Sequence, residues 1–132
     1  MAGIDTYTKL CLHMDGDQSD SNHTVTVNGN PKLNTTTKKL GASSMYFDGV
    51  GDYLTIPDST DFTFGNDAFT VDFWMYHEVS DVVQTVISHW GTYPDISFAI
   101  VTNYLGSNPN TFYIYWKAVS YTHLTLPTTP YV

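Results

Sequence analysis

Apolar and polar side chains alternate most regularly in the stretch Phe69–Tyr76, where Phe69, Val71, Phe73 and Met75 interleave with Thr70, Asp72, Trp74 and Tyr76. Successive side chains of an extended backbone point to opposite faces, so the first set predicts a core face and the second a polar, aromatic one. This is the strongest strand signal, and it predicts a strand over Phe69–His77. Shorter runs of the same period predict strands over Thr8–Met14, His23–Val27, Ser43–Phe47, Asp52–Ile56, Val82–His89, Ile96–Thr102 and Thr111–Lys117. Leu10, Leu12 and Met14 share one face of the first. In Ile96–Thr102, Ile96, Phe98 and Ile100 alternate with Ser97, Ala99 and Val101. In Thr111–Lys117, Phe112, Ile114 and Trp116 share a face opposite Tyr113, Tyr115 and Lys117, and Trp116 is assigned to the core.

The segments between these runs carry turn chemistry. Asp48-Gly49-Val50-Gly51-Asp52 places two glycines where a short reversal between strands needs positive φ. Asp48 and Asp52 at its edges read first as acceptors for nearby backbone amides. Asn28-Gly29 is a second turn signal, Asp15–Asn22 is a polar loop, and Pro31–Leu40 is polar and irregular. The loop 57–68 holds Phe62 and Phe64, which are expected to tuck under a sheet edge. No stretch sustains an i, i+3, i+4, i+7 apolar pattern, so no substantial helix is expected. Ten Tyr, seven Phe and a single Glu point the same way. Eight short strands in 132 residues describe one all-β domain, a sandwich or barrel.

Tyr46-Phe47-Asp48-Gly49, followed by Asp52-Tyr53-Leu54 and Ile56-Pro57, resembles the FDG-x-x-DY-hydrophobic core of the laminin-G-like domains in the concanavalin A-like lectin/glucanase superfamily. Phe69–Met75 resembles the FTIEFWV strand that follows it there. The resemblance covers about residues 8–117 and implies an antiparallel jelly-roll β-sandwich. Domains of that kind usually run several strands past the point reached at Lys117. Residues 1–117 are therefore read as a partial laminin-G-like domain, lacking its C-terminal strands and exposing an unpaired edge with part of a core face. Residues 119–130, VSYTHLTLPTTP, resemble one translated frame of the transposase mosaic-end adaptor used in sequencing libraries, and Ala118 fits the codon that its leading bases complete. Residues 118–132 are accordingly read as an adaptor-derived, non-native tail.

Charge narrows the choice of partner. Twelve Asp and one Glu oppose five Lys and no Arg, a formal charge of −8. Such a chain repels phosphate backbones and has no guanidinium fork, which argues against nucleic acid. No apolar run approaches the roughly 20 residues of a membrane helix, so membrane insertion is not expected. Cys11 is the only cysteine, which excludes an intrachain disulfide. The start MAGIDTYTK shows no signal peptide. With the adaptor-like tail, these features suggest a bacteriophage virion protein made in the host cytoplasm.

Candidate chemistry is sparse. Glycoside hydrolysis needs two carboxylates flanking the bond, about 5–9.5 Å apart. Glucanases of the resembled superfamily use Glu-x-Asp-x-x-Glu, and the lone Glu78 does not match it. Asp72 beside Trp74 has no second acid at i+2 or i+4. No Gly-x-Ser-x-Gly elbow is present, and His13, His23, His77, His89 and His123 lack zinc-ligand spacing. Calcium is the metal considered: Asp15, Asp17 and Asp20 lie at near-alternate positions of an oxygen-rich loop, although the pattern is not an EF-hand. Asp95 joins them because pentraxin-like relatives carry an acid in the corresponding loop. For sugar stacking the candidates are Trp74 and Tyr76 on the polar strand face, with Trp90 and Tyr93 in a loop. The function expected is a non-catalytic carbohydrate- or surface-binding module of a virion, one that recognises a cell-surface glycan or decorates a tail or capsid. The alternative is an assembly domain against a neighbouring virion subunit, and a hydrolase fragment comes third.

Overall fold

The computed structural model describes residues 5–15, 20, 22–64, 67–78, 82–90, 96–102 and 111–116, with the side chains of Trp90, Ile96, Ser97 and Trp116 outside that description. The strands are β1 (Thr26–Asn28), β2 (Lys32–Asn34), β3 (Ser44–Tyr46), β4 (Tyr53–Thr55), β5 (Gln84–Trp90), β6 (Ile96–Thr102) and β7 (Phe112–Trp116). Every pairing among them is antiparallel. One 3-10 turn, Thr60–Phe62, is the only helical element among the described residues. The chain is all-β.

The first four strands form one long hairpin broken at its middle. β1 pairs with β4 (Asn28 opposite Tyr53), and β2 pairs with β3 (Lys32 opposite Tyr46). Between these two ladders, residues 29–31 on one arm face residues 47–52 on the other. The reversal expected at Asp48–Asp52 is therefore not a hairpin turn. It is a bulge that lets one arm absorb extra residues, and the true tip lies at 35–43.

Side chains replace ladder hydrogen bonds across the break. The Asn30 N–H donates to Asp52 Oδ1 at 2.7 Å, and the Asp48 N–H donates to Asp52 Oδ2 at 3.1 Å. The Val50 N–H donates to Asp48 Oδ1 at 2.7 Å. Both aspartates thus act as acceptors for backbone amides, as turn chemistry predicts. The Asn30 amide is the main reason why the Asp52 carboxyl sits below the usual aspartate range; partial burial opposes it, and the Asp48 amide and Lys32 add to the lowering. Gly29 (φ 78°) and Gly51 (φ 79°) supply the left-handed backbone, and a Cβ at Gly29 would fall on Asp52 Oδ1 and within 2.5 Å of the Gly51 carbonyl oxygen.

The tip is ordered by its own polar side chains. Asn34 Oδ1 accepts from the amides of Thr36 and Thr37, both at 2.9 Å. The Ser44 hydroxyl donates to the Thr37 carbonyl, and Lys38 Nζ donates to the Ala42 carbonyl at 3.0 Å. Pro31–Leu40 is therefore not wholly irregular, because β2 forms within it.

The second half is a three-stranded sheet in the order β5-β6-β7. Phe98, Ala99, Ile100, Val101 and Thr102 are all buried. β6 is thus covered on both faces, which is why its sequence runs almost continuously apolar instead of alternating cleanly. Val86 is skipped in the β5–β6 register, and a second shift falls between His89 and Trp90; extra residues of this kind increase local twist. Phe64 stacks on Phe69 with centroids 4.3 Å apart, and both lean on Phe98 at 5.7 and 6.3 Å. Phe64 therefore tucks under the sheet as expected. On β7, by contrast, Phe112 and Ile114 are 50% and 70% exposed.

Two expected strands join no ladder among the described residues. Phe69–His77 keeps its two-faced character, since Phe69, Phe73 and Met75 are 38–42% exposed against 68% for Trp74 and 71% for Tyr76. Alternation sets which face is turned inward, whereas a ladder also needs a neighbouring backbone in register. In Thr8–Met14 the backbone is engaged by side chains instead. The Cys11 N–H donates to Asp20 Oδ1 at 3.0 Å, the Lys9 carbonyl accepts from His23 Nε2 at 3.0 Å, and Met14 (φ 57°) is left-handed. Residues 117–132 lie outside the described residues, and so does the segment read as adaptor-derived.

Gly29→Ala and Gly51→Ala separate strain from collision. Nothing stands within 4 Å of a Cβ at Gly51, so that variant is expected to lose only the left-handed backbone cost of about 1–2 kcal/mol. Gly29→Ala is expected to lose clearly more in urea unfolding, and equal losses would contradict the packing at the break. Asp52 also predicts an acid dependence. Its folded-state pKa is lowered, so its contribution is complete above the unfolded value of about 3.9 and disappears as pH falls through the folded value. Asp52→Asn is expected to melt lower than the parent at pH 7 and to converge with it in thermal scans as pH falls through the lowered folded value.

Candidate functional site

Trp74 and Tyr76 are brought to one exposed surface. Both belong to the outward set of the extended segment 69–78, with Thr70 and Asp72 on the same side. An i, i+2 spacing in extended backbone separates such rings by roughly 6.5–7 Å. The inward set holds the segment down through Phe69, which stacks on Phe64 and leans on Phe98. Its far end is tied by His77 Nε2 to Gln84 Oε1 at 2.7 Å, at the start of β5.

The hairpin tip supplies a third member. Lys39 Nζ lies over the Trp74 ring, 4.8 Å from its centroid, in the geometry of a cation–π contact. Lys39 was not singled out from sequence, because it is remote from Trp74 along the chain. A signal was nevertheless present: residues 21–47 contain no Asp or Glu and carry three of the five lysines of an otherwise acidic protein. The surface therefore combines two exposed aromatic side chains, one of them with an ammonium over its ring, and one carboxylate.

The other two aromatic candidates are placed differently or lie outside the description. Trp90 was expected in a loop, but its backbone is the last residue of β5 and pairs with Ile96, since the β5–β6 ladder extends that far. Its side chain and the whole of Tyr93 lie outside the described residues.

Of the proposed calcium ligands, only Asp15 and Asp20 are among the described residues. Asp17 and Asp95 lie outside them. Asp15 turns its carboxylate toward Gly41 of the hairpin tip, where a Cβ would approach Asp15 Oδ2 to 2.6 Å. Asp20 accepts from the Cys11 amide on Oδ1 and from the Asn22 and His23 amides, both at 2.9 Å, on Oδ2. Burial alone would raise its carboxyl pKa, but these three amides and the nearby His23 outweigh it and hold the group below the ordinary aspartate range. Asp20 is thus engaged in tying Thr8–Met14 to the start of β1. Among the described residues no group of three His, Cys, Asp or Glu is arranged to hold a metal ion.

Histidines and acids do meet elsewhere. His23 Nε2 lies 3.4 Å from Asp61 Oδ2, and Lys9 Nζ pairs with Asp61 Oδ1 at 3.2 Å. His89 Nε2 lies 3.0 Å from Asp58 Oδ1, and the Phe62 ring sits beside both imidazoles at 4.9 and 6.0 Å. These contacts clamp the 3-10 turn between the N-terminal segment and β5, which is a structural role. Cys11 Sγ stands 3.7 Å from His13 Nε2 on a solvent-facing stretch.

No protein-family model matches the chain, and neither the search of curated proteins nor that of solved structures finds a match. Among the described residues no helix is long and apolar enough to cross a membrane. The surface at Trp74 is exposed, so Trp74→Ala is expected to leave unfolding free energy within about 0.5 kcal/mol of the parent. A larger loss in urea titration would mean that the indole holds the hairpin tip in place.

Proposed function

We propose that this protein is a non-catalytic carbohydrate-binding module built on a laminin-G-like, concanavalin A-like β-sandwich. The observation that carries the reading is the pair Trp74 and Tyr76, both about seven-tenths exposed and side by side on one extended segment. Large aromatic faces left in water at regular spacing suit the C–H faces of successive sugar rings, with polar neighbours to orient hydroxyls. Asp72 is such a neighbour, as an acceptor on the same side. Binding rather than hydrolysis is proposed because the surface is open and its chemistry is that of stacking. Asp48 and Asp52 of the FDG-x-x-DY motif, which accept backbone amides at the hairpin break, support the assignment to that fold family, and a cell-surface glycan recognised by a virion protein fits the reading.

A glycan array probed with the purified chain tests it. Binding to a defined set of saccharides is expected, weakened at least about tenfold by Trp74→Ala and by Tyr76→Ala, as for truncation of an aromatic anchor. Uniform silence of the array would remove the proposal.

A second reading, an assembly domain, is favoured by one observation of its own, the exposed Phe112 and Ile114 on strand β7. An apolar strand at a sheet margin is a surface that pairs with a neighbouring subunit. On that reading Ile114→Lys is expected to shift the chain toward monomer in sedimentation velocity, and an unchanged distribution would speak against it.

A further inference from the structure

We infer that the ligand of the Trp74–Tyr76 surface is an anionic saccharide, held by Lys39 through a carboxylate or sulfate on a ring that stacks beside Trp74. The inference rests on the sugar-binding reading and sharpens it from any glycan to an acidic one. Three observations on Lys39 carry it. First, its ammonium is placed on an exposed indole at 4.8 Å instead of extending freely into solvent. Second, the other described lysines are engaged differently: Lys9 pairs with Asp61, Lys38 donates to the Ala42 carbonyl, and Lys32 lies near Asp52. Among the described residues no carboxylate lies within ion-pair distance of Lys39. Third, Lys39 projects from a tip that Asn34, Ser44 and Lys38 hold in one conformation, so little backbone ordering is needed when a ligand arrives.

The charge distribution makes the position selective. The protein carries −8 overall, so an anionic polymer is repelled from most of its surface. The stretch 21–47 has no acid of its own, although the Asp15 carboxylate faces Gly41 within its tip, and Lys39 of that tip reaches the Trp74 ring. Asp72, on the same extended segment, disfavours an anionic group near itself and suits a hydroxyl there. An acidic sugar is therefore expected to bind in one orientation, with its charged substituent toward Lys39 and its hydroxyls toward Asp72.

The test is calorimetric titration of the full chain with oligogalacturonate, with its carboxyl-reduced counterpart, and with a sulfated oligosaccharide of similar length. An acidic oligomer is expected to bind about fivefold tighter than the neutral one at low salt, the upper end of what an exposed ion pair supplies. That preference is expected to vanish between about 20 and 300 mM salt. Lys39→Met should abolish the preference, Lys39→Arg should retain it, and Trp74→Ala should weaken binding of the acidic and the neutral oligomer alike. The carboxylate and sulfate arms identify which anion is preferred. Neutral and acidic oligomers bound equally, or a preference that survives Lys39→Met, overturn the inference while leaving sugar binding intact. Absence of binding by all three, on the oligosaccharides and on the array alike, overturns the sugar-binding reading itself.

Discussion

One carboxylate fixes the geometry of the first half of this protein. Asp52 accepts an amide from each arm of the long hairpin, Asn30 on one side and Asp48 on the other, where the backbone ladder is interrupted. Residues 29–31 and 47–52 cannot pair residue for residue, because one arm is longer by three. Without acceptors at this point the amides of the break would lose hydrogen-bonding partners, and the two short ladders would be free to move independently. Gly29 completes the arrangement by letting its backbone pass against the Asp52 carboxylate and the Gly51 carbonyl, an approach that no side chain permits.

That lock has a consequence at a distance. The β2–β3 ladder carries the tip 35–43, and the tip carries Lys39 to the Trp74 ring. The other partner is positioned by different contacts: Phe69 on Phe64 and Phe98, and His77 on Gln84. The candidate surface is therefore the meeting of two independently anchored pieces. An aromatic pair on a single strand offers stacking to any sugar. Adding a cation from a separate hairpin is what gives the surface a chemical preference.

Much of this was legible in the chain. The all-β class followed from alternation and composition, and the amide-accepting role of Asp48 and Asp52 followed from two acids flanking two glycines. The outward set Trp74 and Tyr76 was also visible, since period two survives even where the segment pairs with no described strand. Other features were not legible. Thr8–Met14 has a strand's pattern, but Asp20 and His23 engage its backbone from the side. Asp20 was read for its oxygens in an acid-rich loop, and that they accept from three backbone amides could not be read there. Such competition between side chain and backbone leaves no periodic trace. Lys39 escaped notice because nothing local links residue 39 to residue 74.

The sequence by itself determined the face preferences and the places where the backbone must turn, because both are local properties of side-chain chemistry and φ. Tertiary structure alone decided which strands pair. The apparent hairpin at 43–56 is divided between two ladders, β6 is covered on both faces, and the β7 face holding Phe112 and Ile114 is left in water. Pairing depends on which backbones arrive in register from distant positions, and alternation is the same whichever partner arrives. For the same reason, stacking could be read from the chain, whereas the charge beside it appears only when the hairpin is folded.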